Sequence, residues 1–404
     1  MPTYNYKARD VYGRLIKGIM AAESEIDLSI RLKKLGFFLT QAKSTIYQAR
    51  GRELNIGAGR LNRTEILDFT TQMAICLDAG VNLLTSLKDL AKNAPNRKSQ
   101  MIIEDIARKV ESGTSLKEAL NSHPASFSQL YVSLVGSGES TGKLALVTND
   151  LAKLLEWQMD LRSKIKEATL YPIILASVMV LVVTLLVMVV IPKFEPMFKD
   201  LDVTLPLPTR IILGISAFSR HYGWLIFLAI GLLIGMWFFI DSNEKGSYYL
   251  DRFKTRLPLV GELVNKIALS RFCRTFALAI RSGVNVFDAL GLASLVTGNK
   301  YIEKSISKAR DYVNVGEKIS SSLDMSGKFP GLVIRRINVG EQTGNLALTL
   351  EQVTQFYDRE VPAAIKRMFT LFEPAMIVFM GVVVGGIALS VFLPLLQLIG
   401  KIGD

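Results

Sequence analysis

The chain has 404 residues, 50% of them hydrophobic, a net charge of +12, two cysteines and two histidines. Histidines only at 123 and 221 assemble no Ser/His/Asp or Cys/His catalytic set, and Cys76 and Cys273 lack the spacing of a metal cluster or a disulfide framework. Acids and bases interleave with no basic-aromatic motif, which argues against nucleic-acid binding.

Residues 1–46 read as a small α/β module. Tyr4, Tyr6 and Ala8 alternate with polar residues, a turn follows near Asp10–Gly13, and Ile16 to Met20 suits a second strand. Ser24 and Asp27 then fit the start of a helix with Leu28, Leu32 and Leu35 on one stripe and Gly36 at its stop. Phe37 to Thr40 can return as a strand. Residues 47–63 are rich in Gly and Arg and are expected to be a linker. No charged-then-apolar leader opens the chain, so no cleaved signal peptide is expected.

From 64 to 167 the period is helical. Ile66, Phe69, Met73, Cys76 and Leu77 share a face, and Gly80 breaks the run before Asn82 caps the next helix. A helix over Ser99–Ser112 follows, then shorter ones interrupted at Pro124 and Gly136–Gly142. A long helix then carries Leu144, Val147, Leu151, Leu154 and Leu155. Faces this apolar must pack on one another as a bundle.

Residues 168–192 hold no charge and are long enough to span a bilayer, as are 221–240 and 373–400 apart from Glu373. Of 48 Lys and Arg, 24 precede Pro192 and 19 lie in 241–372, against 4 in 193–220. The positive-inside rule therefore puts the N-terminal part and 241–372 in the cytoplasm. The loop 193–220 and the tail 401–404 fall outside. In the loop, Thr209 can cap a helix bearing Ile211, Ile212, Ile215 and Phe218, lying on the membrane surface or against the spans; a plain connector is the alternative.

The plan of 64–167 returns in 267–372, after a connector at 241–266. Phe69 matches Phe272, Ala79-Gly80-Val81-Asn82 matches Ser282-Gly283-Val284-Asn285, and Leu87, Gly113 and Leu120 match Leu290, Gly316 and Leu323. After a one-residue shift Phe127, Leu130, Pro172 and Pro192 match Phe329, Leu332, Pro374 and Pro394. Such a colinear series marks a duplication. Two copies of bundle-then-span in the same orientation need a return helix between them, and 221–240 supplies it.

Gly136-Ser137-Gly138-Glu139-Ser140-Thr141-Gly142-Lys143 has the look of a phosphate-binding loop but lacks its first Gly and its final Ser or Thr. A tight helix–helix corner explains it better, with Gly138 and Gly142, and Gly340 and Gly344 in the second copy, allowing close approach. Glu139 and Glu341 would then sit beside the start of a long helix, and could pair with a basic partner. No Asp, Glu, Lys or Arg falls within the runs 168–192, 221–240 and 374–400, which disfavours a channel or transporter. Gly231 with Gly235, and Gly381 with Gly385, have the spacing that lets helix backbones approach, so span packing and self-association are expected there.

Together these residues resemble the GspF/PilC family, the inner-membrane platform proteins of type II secretion and type IV pilus machines. The likeness covers the Tyr-x-Tyr-x-Ala module and the duplicated Gly-Glu-x-x-Gly corners. It extends to the span-opening Pro172 and Pro374, the Pro192-x-Phe194 to Thr209 loop, and Phe356-Tyr357 to Glu360-Val361. The fold it implies is mainly α and polytopic: duplicated cytoplasmic helical bundles, three transmembrane helices and a small N-terminal α/β module. The implied location is the bacterial inner membrane, N-terminus inside and C-terminus in the periplasm. The implied role is non-enzymatic, without catalytic residues, metal or cofactor. The implied partners are a cytoplasmic hexameric assembly ATPase, pilin or pseudopilin subunits, other inner-membrane assembly proteins, membrane lipid and further copies of the chain. Gly80 and Gly283 before Val-Asn look more like the pilus branch than the secretion branch.

Overall fold

The computed structural model describes residues 3–9, 15–22, 25–45, 59–200 and 206–402. The chain forms two compact units, Met1–Arg60 and Leu61–Asp404. In the first, β1 (Thr3–Arg9) lies between β2 (Leu15–Ala21) and β3 (Phe38–Thr45), antiparallel to both. The register pairs Tyr6 with Gly18 and with Ala42, and a bulge follows Lys7. Helix α1 (Glu25–Lys34) buries Leu28 and Leu32 with Ala8 and Ala22. Leu35, expected on the same stripe, is exposed because the helix has already ended. The expected turn at 10–13 and cap at Ser24 lie outside the described residues, as does most of the linker.

The second unit opens with α2 (Arg63–Asp78), α3 (Leu83–Lys92), α4 (Arg97–Glu111), α5 (Leu116–Asn121) and α6 (Gln129–Ser140). The end of the expected linker belongs to this unit: Leu61 is buried, and Asn62 closes a capping box with Glu65. Asn82, Asn96, Ser115 and Ser128 cap the next four helices, each accepting from a backbone N–H of the first turn. Helix α7 (Leu144–Leu185) then passes through Pro172 and a π-helical turn (Leu186–Val190) into α8 (Ile191–Asp200).

The return is a single helix, α9 (Leu207–Ser242), which joins the expected surface helix to the 221–240 run. Ser219-Arg220-His221-Tyr222 contains no helix breaker, so the chain has no local reason to stop there. Thr209 does not cap it; its hydroxyl donates to the Ser390 carbonyl at 2.8 Å. Ser216 donates at 2.7 Å to Val187 O in the π turn. There the usual i→i−4 pattern is broken, and a hydroxyl from a neighbouring helix takes up a carbonyl.

After α10 (Glu244–Lys254) the second copy follows: α11 (Val260–Arg281), α12 (Val286–Leu295), α13 (Lys300–Asn314), α14 (Ile319–Met325), α15 (Gly331–Thr343) and α16 (Leu346–Ile402). The duplication extends to caps and core. Asn285 and Asn299 cap α12 and α13 as Asn82 and Asn96 cap α3 and α4. Phe69 meets Phe127 edge-on at 5.7 Å, and Phe272 meets Phe329 edge-on at 5.2 Å. Burying each such ring contributes roughly 1.5–3 kcal/mol. The copies differ at one core pair. Thr70 Oγ1 and Tyr131 Oη hydrogen-bond at 2.9 Å, whereas Cys273 and Val333 take those places and are both fully buried. Replacing both partners by apolar groups leaves no orphaned donor. Burial raises the Tyr131 and Cys273 pKa values well above their ordinary ranges, so both groups stay neutral.

One apolar core runs through both copies. Among the described residues two helical stretches, Leu144–Phe194 and Leu346–Leu393, are long and apolar enough to cross a membrane. Neither begins at its proline. Pro172 and Pro374 lie inside α7 and α16, which enter the apolar segments directly from the bundles.

Candidate functional site

The two Gly-Glu-x-x-Gly corners have the same geometry. Gly142 and Gly344 take φ values of 68° and 71°, a left-handed turn that costs glycine little and ends α6 and α15. Gly138 and Gly340 lie where the next helix crosses. A Cβ at Gly138 would come within 2.9 Å of Val147, and one at Gly340 within 3.0 Å of the Leu346 Cα and closer still to Thr349 Oγ1. The corner is therefore closed by steric necessity in both copies.

The glutamates do not face the long helices. Glu139 accepts from Leu116 N at 2.7 Å and Lys117 N at 3.1 Å; Glu341 accepts from Ile319 N at 2.7 Å and Ser320 N at 3.1 Å. Each half-buried carboxylate thus sits on the N-terminus of the short α5 or α14, where orphan amides and the helix dipole favour negative charge. In the second copy Ser320 Oγ also donates to Glu341 at 2.8 Å, and the N-cap Lys318 contributes no side-chain cap. In the first, Ser115 still accepts from Glu118 N. Sequence reasoning placed these carboxylates at a corner but missed the helix they hold, since 21 to 23 positions separate donor and acceptor. The first five residues of the phosphate-loop near-match, Gly136 to Ser140, are helical: Gly136 lies within α6, where a Cβ would collide with the Lys117 stem.

The copies are joined by a polar seam. Ser137 Oγ donates to Ser282 O at 2.6 Å, and Gly283 packs near Ser137 and Thr141. Arg281 pairs with the buried Asp150 at 2.5 Å and with Glu351 at 3.3 Å. Arg274 makes two 2.7 Å bonds to Asp358 and lies 4.5 Å from the Trp157 ring, whose N–H also donates to Asp358. Further along, Lys266 bridges Glu262 at 2.7 Å and Glu360 at 2.8 Å. The bonds to Lys266 hold both carboxylates below their usual range. Burial favours neutral Lys266, but the two glutamates outweigh it and raise its pKa. An open cleft of about 1530 Å³ lies between the copies, lined by Lys117, Glu139, Lys245, Asp288, Lys304 and Arg310 among others.

Elsewhere, Asp105 receives Lys109 at 2.7 Å and His123 Nε2 at 2.9 Å. Burial pushes its pKa up, but those bonds win and leave it below the ordinary carboxylate value. Among the described residues no group of three or more His, Cys, Asp or Glu could hold a metal ion. At Gly231, Gly235, Gly381 and Gly385 nothing among the described residues lies within 4 Å of where a Cβ would stand, so the described packing does not use them.

The duplicated corner and the N-terminal module coincide with the family matches. The type II secretion system protein F family matches residues 69–192 and again 272–394, and its N-terminal domain matches residues 1–43. This chain belongs to that family. It is 36% identical over 409 residues to the type IV pilus assembly protein PilC of Thermus thermophilus, covering 100% of this chain and 99% of that protein. It is 34% identical over 398 residues to PilC of Myxococcus xanthus, covering 98% and 95%. It is 32% identical over 407 residues to the type II secretion system protein F of Pseudomonas aeruginosa, covering 100% of both. Pilus-assembly and secretion proteins thus both match this chain along nearly its whole length, consistent with the GspF/PilC resemblance.

Proposed function

We propose that this protein is the inner-membrane platform of a type IV pilus assembly machine. In this reading it carries no catalysis of its own. It couples a cytoplasmic hexameric ATPase to the extraction of pilin from the membrane and its addition to a filament. The observation that carries the reading is the end-to-end match to PilC proteins at 36% and 34% identity. The geometry supports it: the last helix of each bundle continues into an apolar segment, so movement of a bundle is movement of the segment. Residues 1–46 serve as a docking module behind the 47–63 linker, 64–167 and 267–372 as the cytoplasmic bundles, and 241–266 as their connector. Three spans, 168–192, 221–240 and 373–400, place 193–220 and the C-terminus in the periplasm. The corner glutamates, occupied by backbone amides in both copies, shape the surface an ATPase would meet.

A second reading, the F protein of a type II secretion system, is favoured by the full-length match to the Pseudomonas aeruginosa protein at 32% identity. A clean deletion in the native cell separates the two. Loss of surface pili in electron micrographs with normal export of enzymes is expected. Retained pili with enzymes stranded in the periplasm would favour the secretion machine, and no change in either would refute both.

A further inference from the structure

The contact between the two copies is used once within the chain, and both of its surfaces recur unused. On the first copy's side it is made by Ser137 and Thr141 of the corner and by Asp150, Leu154 and Trp157 of α7. On the second copy's side it is made by Arg274, Leu278 and Arg281 of α11 and the Ser282-Gly283 turn. Leu154 and Leu278 line one small cavity of about 110 Å³ there, and are 3% and 6% exposed.

The repeat maps each surface onto the other copy. The α7 surface becomes Val339 and Thr343 with Gln352, Phe356 and Arg359 of α16. The α11 surface becomes Thr71, Ile75 and Asp78 of α2 with the Ala79-Gly80 turn. Phe356, the counterpart of Leu154, is 40% exposed, and Ile75, the counterpart of Leu278, is 64% exposed. Both turns stand open as well: Thr343, Ala79 and Gly80 are exposed, and nothing lies within 4 Å of a Cβ at Gly80. Large apolar side chains left in water at positions whose repeat counterparts are covered identify what is missing.

Charge agrees. Inside the chain the acids lie on the α7 and α16 side and the arginines on α11. On the open surfaces the order is reversed and still complementary. Exposed Asp68 and Asp78 share a face of α2 with Ile75, while exposed Arg359 lies on α16 beside Gln352, which accepts from Arg336 at 2.6 Å.

We propose that a second copy of this chain docks its α2 face, centred on Ile75, onto the α16 face centred on Phe356, repeating between chains the contact that joins the two copies within one. Such a contact is head-to-tail: two different surfaces meet, so the assembly grows until a ring closes or ends remain open. The repeats share one orientation, bundle first and apolar segment after, so the same operation keeps every added chain in the same membrane. The inference rests on the duplication alone and stands apart from the filament-assembly reading.

The test is cross-linking of full-length protein in native membranes, in a Cys76→Ser background so that only buried Cys273 remains of the native thiols. One tagged copy carries Ile75→Cys and a differently tagged copy carries Phe356→Cys. Oxidation is expected to join the mixed pair, to leave each variant unlinked to itself, and to give a ladder beyond dimers when one chain carries both. Asp78→Arg is expected to abolish the link, and adding Gln352→Glu to restore it, because that pair recreates Arg281 with Asp150. A mixed pair that does not link, self-linking by Ile75→Cys alone, or no rescue by Gln352→Glu would each overturn the proposal.

Discussion

Replacing Glu341 by Gln keeps the shape of the corner and removes its charge. The carboxylate accepts two backbone N–H groups and the Ser320 hydroxyl at the start of α14, whose N-cap Lys318 offers no substitute. A hydrogen bond to a charged acceptor contributes about 1.5–3 kcal/mol, and a lost N-cap costs about 0.5–2 kcal/mol. Gln retains one accepting oxygen and turns its amide toward the other donor. Local opening of α14 should therefore become easier by about 2 kcal/mol, roughly thirtyfold in amide exchange, since about 1.4 kcal/mol is tenfold. Glu139→Gln should cost less, about 1 kcal/mol, because Ser115 continues to cap α5. Hydrogen exchange of the detergent-solubilised full chain, followed by mass spectrometry, reads both. The expected order is Glu341→Gln above Glu139→Gln, with the change confined to 319–325 and 116–121. Unchanged exchange in those segments, or equal effects in the two copies, would refute the capping argument.

Two further outcomes follow from the geometry. Gly340→Ala drives a methyl group into Thr349 and the Leu346 backbone, so it should lower the thermal midpoint, with a cost of roughly 1–3 kcal/mol; the companion Gly344→Ala tests the left-handed turn instead, and an unshifted midpoint in both would contradict the tight corner. Asp105 has a folded pKa below its unfolded value, so its stabilisation is complete above the unfolded value of about 3.9 and is lost as pH falls through the lower folded value. Asp105→Asn should flatten the fall in melting temperature below about pH 4, and an identical acid profile in the two proteins would show that Lys109 and His123 do not act through it.

The duplication was legible because it is written in residues with strong local meaning: Asn82 and Asn285 before a helix, Gly142 and Gly344 after one, Phe69 and Phe272 at its core. The helical periods and the apolar runs of α7 and α16 were equally plain. What the sequence did not disclose were relations set by packing. A proline suggests a boundary, yet Pro172 lies within one helix, because neighbouring turns and helices can take up the few groups it frees. Thr209 looks like a cap, yet its hydroxyl reaches across to Ser390. Glu139 and Glu341 were picked out by their motif, but their acceptor role depends on a helix more than twenty positions earlier. The unequal exposure of Ile75 and Leu278, which a repeat alignment treats as one position, arises only from what each copy finds beside it.

The unbroken course of α7 and α16 has a mechanical consequence. At about 1.5 Å per residue, the 42 residues of α7 make a rod of about 63 Å and the 57 of α16 one of about 86 Å. Each begins just after a corner glycine, Gly142 or Gly344, so the corner acts as the pivot of a lever. A swing of about 5° there carries the far tips through about 5.5 Å and about 7.5 Å, by simple arc length on those helix dimensions. Because the arms differ in length, one shared rotation becomes shear between their tips, and α9 bridges them, bonded through Ser216 to Val187 at the end of α7 and through Thr209 to Ser390 of α16. A small movement at the bundles is in this way enlarged at the tips, with a correspondingly smaller force there.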